Sequence, residues 1–508
     1  MDRRGLAVKS SVISLSSRLL SALLAFICRK YFIMYLGTDL LGINYTLSQV
    51  LETLSLTELG FQTAIIFRLY KPLSVNNKNE VSKIVIILKK IYIFIGIIIM
   101  VMGVLFVPFL KNIITRVDVG FWNVYFVYFI MLLGTVSSYF LSYNRAILQA
   151  DQKIYVINLI DCVFQILVSI FRLISIIIFH NFILFVTIGT IGIVGSNIAL
   201  YIYYKKHYSW IETNTTIDKD ILKSLIANTK DVFVGRMAGY VYSSTDNLVI
   251  SAFVGTGWVG LIGNYSTITN AIKMVIMGLT SPIQSMLGNF AISKSCEETE
   301  AIMMKYGFIR FVIALFLVIP TMCMSDLFVS IFYGKEYIQP CIIIILLTLD
   351  LFLICMEGAV GELIDALGFF KQEKNMYVVY AVTNLLLSCI GAYFWGVVPV
   401  FVATILAQII GWLWRSFIAY KYYFKSWKKF ILYWIIQIKY VSFYSFCSGI
   451  TFIFIKSLTF SYNYIEFLLC GVCIEIIIAV LFIIIYHDHE EYRYLKILLK
   501  KIWERNGI

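Results

Sequence analysis

Charge is what this chain has least of. Only 14% of its 508 residues are Asp, Glu, Lys or Arg while 60% are apolar, a balance that excludes an ordinary soluble domain. Acids are scarcer than bases, 29 against 42, which leaves a net charge of +13. That surplus does not point to a nucleic-acid partner, because the basic residues are dispersed between apolar stretches of about 20 residues, the length that crosses a bilayer. Histidine is limited to four residues, among them His180, His487 and His489, without zinc spacing. The ten cysteines are scattered through apolar stretches; Cys470 and Cys473 have a metal-like separation but no second Cys/His pair nearby, and they read as reduced packing residues. No glycine-rich phosphate cradle or ligand cluster interrupts the polar strip from Lys205 to Lys230, so neither an ATPase nor a resident metal or cofactor is expected. Long polar loops are missing too. The outer loop from Lys111 to Gly120 is the longest on its side, too short for an extracellular catalytic domain, which speaks against a polysaccharide polymerase and against an enzyme.

What is present is hydrocarbon in regular lengths. Hydropathy predicts an all-α polytopic membrane protein with about fourteen spans, near residues 10–36, 40–67, 84–110, 121–145, 155–179, 182–204, 231–254, 258–290, 306–333, 339–366, 376–395, 398–420, 431–455 and 463–486. Arg3, Arg4 and Lys9 precede the first span as in a signal peptide, yet no small-residue cleavage site follows, so the segment is expected to be retained. With the N-terminus inside, the outer loops hold only Lys111, Arg116, Lys335 and Lys456. The positive-inside rule then places both termini in the cytoplasm. From Asp488 to Arg505 charges and leucines alternate at helical spacing, the pattern of an amphipathic surface helix.

The chain also repeats itself. Arg18 precedes Gly37-Thr38 by the same interval, 19 residues, as Arg236 precedes Gly255-Thr256. Gly42 and Gly260 follow at equal distance, then Asn44-Tyr45 and Asn264-Tyr265. The offset covers six spans, an even number, so the halves enter the membrane in the same direction as parallel repeats, the arrangement that permits alternating access. The expected organisation is an N-lobe (1–204), a cytoplasmic linker (205–230), a C-lobe (231–420), two extra spans (421–486) and a cytoplasmic tail (487–508).

Four stretches carry a family resemblance: Arg29-Lys30 through Leu36-Gly37-Thr38 to Gly42; Leu54-Ser55-Leu56-Thr57-Glu58-Leu59-Gly60 on to Leu69-Tyr70-Lys71-Pro72; Arg145 through Leu148-Gln149-Ala150-Asp151-Gln152-Lys153; and Ser244-Thr245-Asp246-Asn247 to Ser251 with Asn264-Tyr265. In these the chain resembles the oligosaccharide flippases of bacterial polysaccharide export, within the multidrug, oligosaccharidyl-lipid and polysaccharide exporter superfamily. The resemblance implies a V-shaped carrier of two six-helix lobes in the bacterial cytoplasmic membrane. It would move undecaprenyl-diphosphate-linked oligosaccharide repeat units, for capsule or O-antigen, from the inner to the outer leaflet, with a polysaccharide polymerase as partner and membrane lipids around it. The related lipid II flippases share an arginine-lined cavity and two extra helices that form a groove for the lipid tail. Arg18 matches the first-helix arginine, and spans 13 and 14 match the extra pair. A multidrug cation antiporter of the same superfamily is the alternative.

Such a cargo needs positive charge in the membrane, and guanidinium suits a diphosphate because its planar fork donates bidentate hydrogen bonds. At 1.5 Å per residue Arg18 lies about 13 Å in, while Arg29 and Lys30 lie about 10 to 12 Å from the outer end. Arg236 and Lys273 are the candidate basic residues of the second half. Asp161 and Arg172 share a helix face but are about 16 Å apart, so each needs another partner. Asp246 in its Ser/Thr/Asn surroundings, and Asp350 with Glu357, are candidates for coupling to Na+, H+ or the membrane potential, or for interhelical hydrogen bonding. Glu58 lies at about the depth of Arg18, about 15 Å by the helical rise, and could pair with it either permanently or in exchange for phosphate. If the pair switches, Glu58→Gln lowers transport of the lipid-linked sugar in proteoliposomes; a variant that gains stability with transport untouched removes the switch.

Overall fold

The computed structural model describes residues 3–55, 68–69, 72–73, 75, 77–116, 120–151, 153–211, 245–458, 463–494 and 496. Every long regular element among them is helical: α1 (Arg3–Leu54), α2 (Lys78–Phe106), α3 (Phe121–Ala150), α4 (Ile154–Ile177), α5 (Phe182–His207), α6 (Thr256–Ser293), α7 (Cys296–Phe332), α8 (Cys341–Leu367), α9 (Phe370–Trp395), α10 (Val398–Ile418), α11 (Trp427–Lys456) and α12 (Tyr464–Tyr486). Ten helices among the described residues are long and apolar enough to cross a membrane, and they fall where spans 3–6 and 9–14 are expected. α1 occupies the stretch assigned to span 1 and the start of span 2, and α6 that of span 8. Most of span 7, the linker beyond residue 211 and the tail beyond residue 496 lie outside the described residues.

Local chemistry sets the helix starts. Asn77, Asn181, Ser426 and Asn463 each accept a backbone N–H of the first turn with their side-chain oxygen, and Ser295 with Glu298 forms a reciprocal capping box ahead of α7.

The chain divides into two compact units, residues 1–260 with 392–397, and residues 261–391 with 398–508. In the first unit α1 packs on α4, α4 on α5, α5 on α3 and α3 on α2. α1 is two helices merged across a break at Gly37, whose φ of 83° suits glycine; Gly255, ahead of Thr256, has φ 141°. The two sequence-related Gly-Thr junctions meet. A side chain on Gly42 would overlap the Thr256 carbonyl, and one on Gly260 would overlap the Thr38 carbonyl, so each glycine lies against the backbone of the other junction in a reciprocal contact. The segment after α2 ties in beside it: Thr115 donates to the Ser251 carbonyl at 2.6 Å, Ser251 to the Ile113 carbonyl at 2.7 Å, and Arg116 to the Val254 carbonyl at 2.8 Å. The Thr256 N–H donates to the Thr115 carbonyl at 3.1 Å, and the Thr115 N–H returns a bond to Thr256 Oγ1 at 3.0 Å.

In the second unit α7 packs on α8 and α8 on α10, while α11 and α12 pack on α7. Aromatic rings fasten that last pair. Phe311 stacks on Tyr440 at 4.4 Å between centroids, and Phe308 lies 5.6 Å from Tyr486. Cys323 reaches Thr451 Oγ1 at 3.5 Å.

Backbone against backbone cannot be relieved by a rotamer change. Gly42→Ala or Gly260→Ala is therefore expected to destabilise by about 1–3 kcal/mol, read as a lower midpoint of thermal unfolding in detergent. Gly449→Ala, where an added methyl meets nothing within 4 Å, is the control that leaves the midpoint unchanged or raises it.

Candidate functional site

In the first unit Arg29 stands 5% exposed on α1. Its guanidinium donates to the Tyr45 hydroxyl and, at 3.0 Å, to the Gly260 carbonyl, and lies 5.1 Å from the Tyr45 ring centroid. It therefore holds together the two arms of α1 and the second Gly-Thr junction, and a phosphate reaching it must replace those contacts.

Arg145 on α3 forks onto Asp161 of α4, at 2.7 and 2.8 Å, and its Nε donates to Asn197 of α5 at 3.1 Å. Asn197 in turn donates to Ser138 at 2.9 Å. Asp161 thus has the partner its position demands, from another helix. Arg172, on the same face of α4, donates to the Phe185 carbonyl at 3.2 Å and lies over that ring at 4.4 Å. Beyond α3 the Asp151–Lys153 turn is closed by Tyr208, which donates to Asp151 at 2.5 Å and accepts from Lys153 at 3.1 Å, with Lys153 and Asp151 2.7 Å apart. Burial, reinforced by the Asp151 charge, keeps that phenol protonated well above its usual range.

The second unit holds two larger networks. Arg310 on α7, 5% exposed, donates to Glu362 of α8 at 2.7 Å, to the Tyr306 hydroxyl at 2.9 Å and to the Cys355 carbonyl at 2.6 Å; Tyr306 donates to the other Glu362 oxygen at 2.7 Å. Gly358 leaves the space that this guanidinium fills. Arg415 on α10 donates to Glu357 of α8 and Glu373 of α9, both at 2.8 Å, and to the Tyr377 hydroxyl at 2.6 Å. Glu357 takes a further bond from Gln408. In a membrane, where polar groups must be satisfied by the protein itself, such networks join helices that hydrophobicity alone does not hold in register.

Of the residues expected from sequence, Arg18 lies on the backbone of α1 with its side chain outside the description, and Glu58 and Arg236 lie outside the described residues altogether. Lys30 is next to Arg29 on α1 and half-buried; Lys273 is half-buried on α6, and Asp246 half-buried in the short apolar helix Thr245–Val254. Asp350 and Glu357 share α8, but Glu357 is committed to Arg415 and Gln408. Among the described residues no group of three His, Cys, Asp or Glu is placed to hold a metal ion. Arg310, Glu362, Glu373 and Arg415 were missed as site residues. Their signal is an ionisable group inside or at the edge of an apolar span, and it leaves the partner open.

This arrangement, apolar helices stitched by buried ion pairs, defines an all-helical polytopic membrane protein. Its fold is shared with the solved lipid II flippase MurJ in an inward closed conformation, at TM-score 0.70 and 16% identity, covering 94% of this chain and 99% of that one. A multidrug resistance MATE family transporter of the MOP superfamily, inward-facing, matches at TM-score 0.63 and 15% identity over 80% of this chain and 97% of its own. An uncharacterized membrane protein of Methanocaldococcus jannaschii is 22% identical over 414 residues, 79% of this chain and 95% of that protein. The chain belongs to the polysaccharide biosynthesis protein family, which matches residues 7–287.

Removing one member of a buried pair leaves the other charge uncompensated. Glu362→Ala is expected to cost about 3–5 kcal/mol, seen as a large loss of thermal stability in detergent. Restoring much of that loss with Arg310→Met in the same chain checks that the pair, and not the helix contact alone, is responsible.

Proposed function

We propose that this chain is a flippase that carries undecaprenyl-diphosphate-linked oligosaccharide repeat units from the inner to the outer leaflet of a bacterial cytoplasmic membrane. The observation that carries the reading is the extent of the fold match. The multidrug transporter stops at 80% of this chain, whereas the lipid II flippase covers 94%, and membership of a polysaccharide biosynthesis family favours a sugar-bearing cargo.

The cargo sets the chemistry. A diphosphate headgroup must cross about 30 Å of hydrocarbon while its polyprenyl tail stays in lipid. Arg18, Arg236 and Lys273 supply the counter-charge for the diphosphate at mid-membrane, and Arg29 with Lys30 supplies the outer level. In the cycle Arg29 exchanges the Tyr45 hydroxyl and the Gly260 carbonyl for phosphate. Both termini face the cytoplasm in this reading. A polymerase on the outer side consumes the product.

The test is reorientation of a defined undecaprenyl-diphosphate oligosaccharide in proteoliposomes, with and without ion gradients. Arg18→Ala is expected to slow it about 10- to 100-fold, the worth of a hydrogen bond to a charged group. A wild-type protein that leaves the lipid-linked sugar in place and moves a small cationic dye instead establishes the cation antiporter.

A further inference from the structure

A fully buried carboxylate with one oxygen to spare sits where α8, α9 and α10 meet. Glu373 is 0% exposed; its Oε1 accepts from Arg415 Nε at 2.8 Å, while its Oε2 is buried with no hydrogen-bond donor. Glu357 differs, because one oxygen accepts from Arg415 Nη1 at 2.8 Å and the other from Gln408. Two carboxylates thus share one guanidinium. Among the described side chains, Tyr377 accepts from Arg415 at 2.6 Å, Tyr380 faces Glu357 and Arg415, and Asp365 of α8 acts on Glu373 with a further negative charge. Lys374, next in the chain, is exposed.

An uncompensated negative charge in apolar surroundings is removed by binding a proton in preference to remaining ionised. We propose that Glu373 binds a proton on Oε2, making this network the proton-binding site of the transport cycle. The donor set favours a proton over a metal ion, since a hard cation takes about six oxygen ligands and, among the described residues, no group of three His, Cys, Asp or Glu is placed to hold one. With the proton bound, Arg415 has one fewer carboxylate to balance and the three helices close around it. Its loss leaves a carboxylate that water or separation of α8, α9 and α10 must relieve, so protonation controls how tightly these helices pack. The transport role rests on the flippase reading; the proton site does not.

The measurement is carboxyl spectroscopy on the full-length protein in lipid bilayers. Infrared spectra at neutral pH are expected to contain the carbonyl band of a protonated carboxylic acid, lost in Glu373→Gln. It is expected to be lost also in Glu357→Gln, which leaves Arg415 a single carboxylate and lets Glu373 ionise. A band that survives in both variants, or is absent from the wild type, overturns the proposal. If Glu373→Gln fails to fold, wild-type protein labelled with carbon-13 glutamate decides it: a Glu373 carboxyl resonance at the ionised position at neutral pH overturns the proposal, and one at the protonated position supports it. In proteoliposomes Glu373→Gln is expected to abolish the dependence of transport on the proton gradient. Protonated Glu373 in a protein that moves no lipid-linked sugar ends the flippase reading and leaves the proton site standing; sugar transport with Glu373 ionised does the reverse.

Discussion

A charge inside hydrocarbon must be answered from within the protein, because there is no water to do it, and this constraint orders the interior of both units. Arg145 answers Asp161, Arg310 answers Glu362, and Arg415 answers Glu357 and Glu373. Each pair joins different helices, so the ion pairs select which helices lie together. Apolar packing then fills the space between them, as in the aromatic cluster that fastens α11 and α12 to α7.

Glycine makes that strategy possible in two ways. At Gly37 and Gly255 it supplies a backbone conformation that breaks the helix between consecutive span-length runs. At Gly42, Gly260 and Gly358 it supplies room, either for a second backbone or for a guanidinium. Arg29 draws on both, since its guanidinium donates to Tyr45, beyond the break, and to the carbonyl of Gly260. The repeated sequence signature therefore coincides with a place where two stretches of chain approach within backbone contact.

The networks also set apart residues that hold the fold from residues available to a cargo. Arg145, Arg310 and Arg415 are committed to carboxylates, which favours a structural role for them. The basic residues proposed to meet the diphosphate are Arg18, Arg29, Lys30, Arg236 and Lys273. Glu373 belongs to neither group, being half committed to Arg415 and half open.

Much of the architecture was legible in the sequence because it is local. Span-length apolar runs depend on neighbours within a turn or two, and Gly37 and Gly255 fall between the expected spans. The need for a partner was legible too: Asp161 and Arg172 share a face too widely spaced for a pair. Which group answers which was not. Arg145 meets Asp161 across 16 residues, Arg310 meets Glu362 across 52, Arg415 meets Glu357 across 58, and Arg29 meets the Gly260 carbonyl across 231. By itself the sequence determined an all-helical membrane chain with charges too costly to leave unanswered. Only the tertiary structure decided their partners, because an ion pair in hydrocarbon depends on distances of a few ångströms between helices, and no periodicity along one helix encodes its neighbour's rotation and depth.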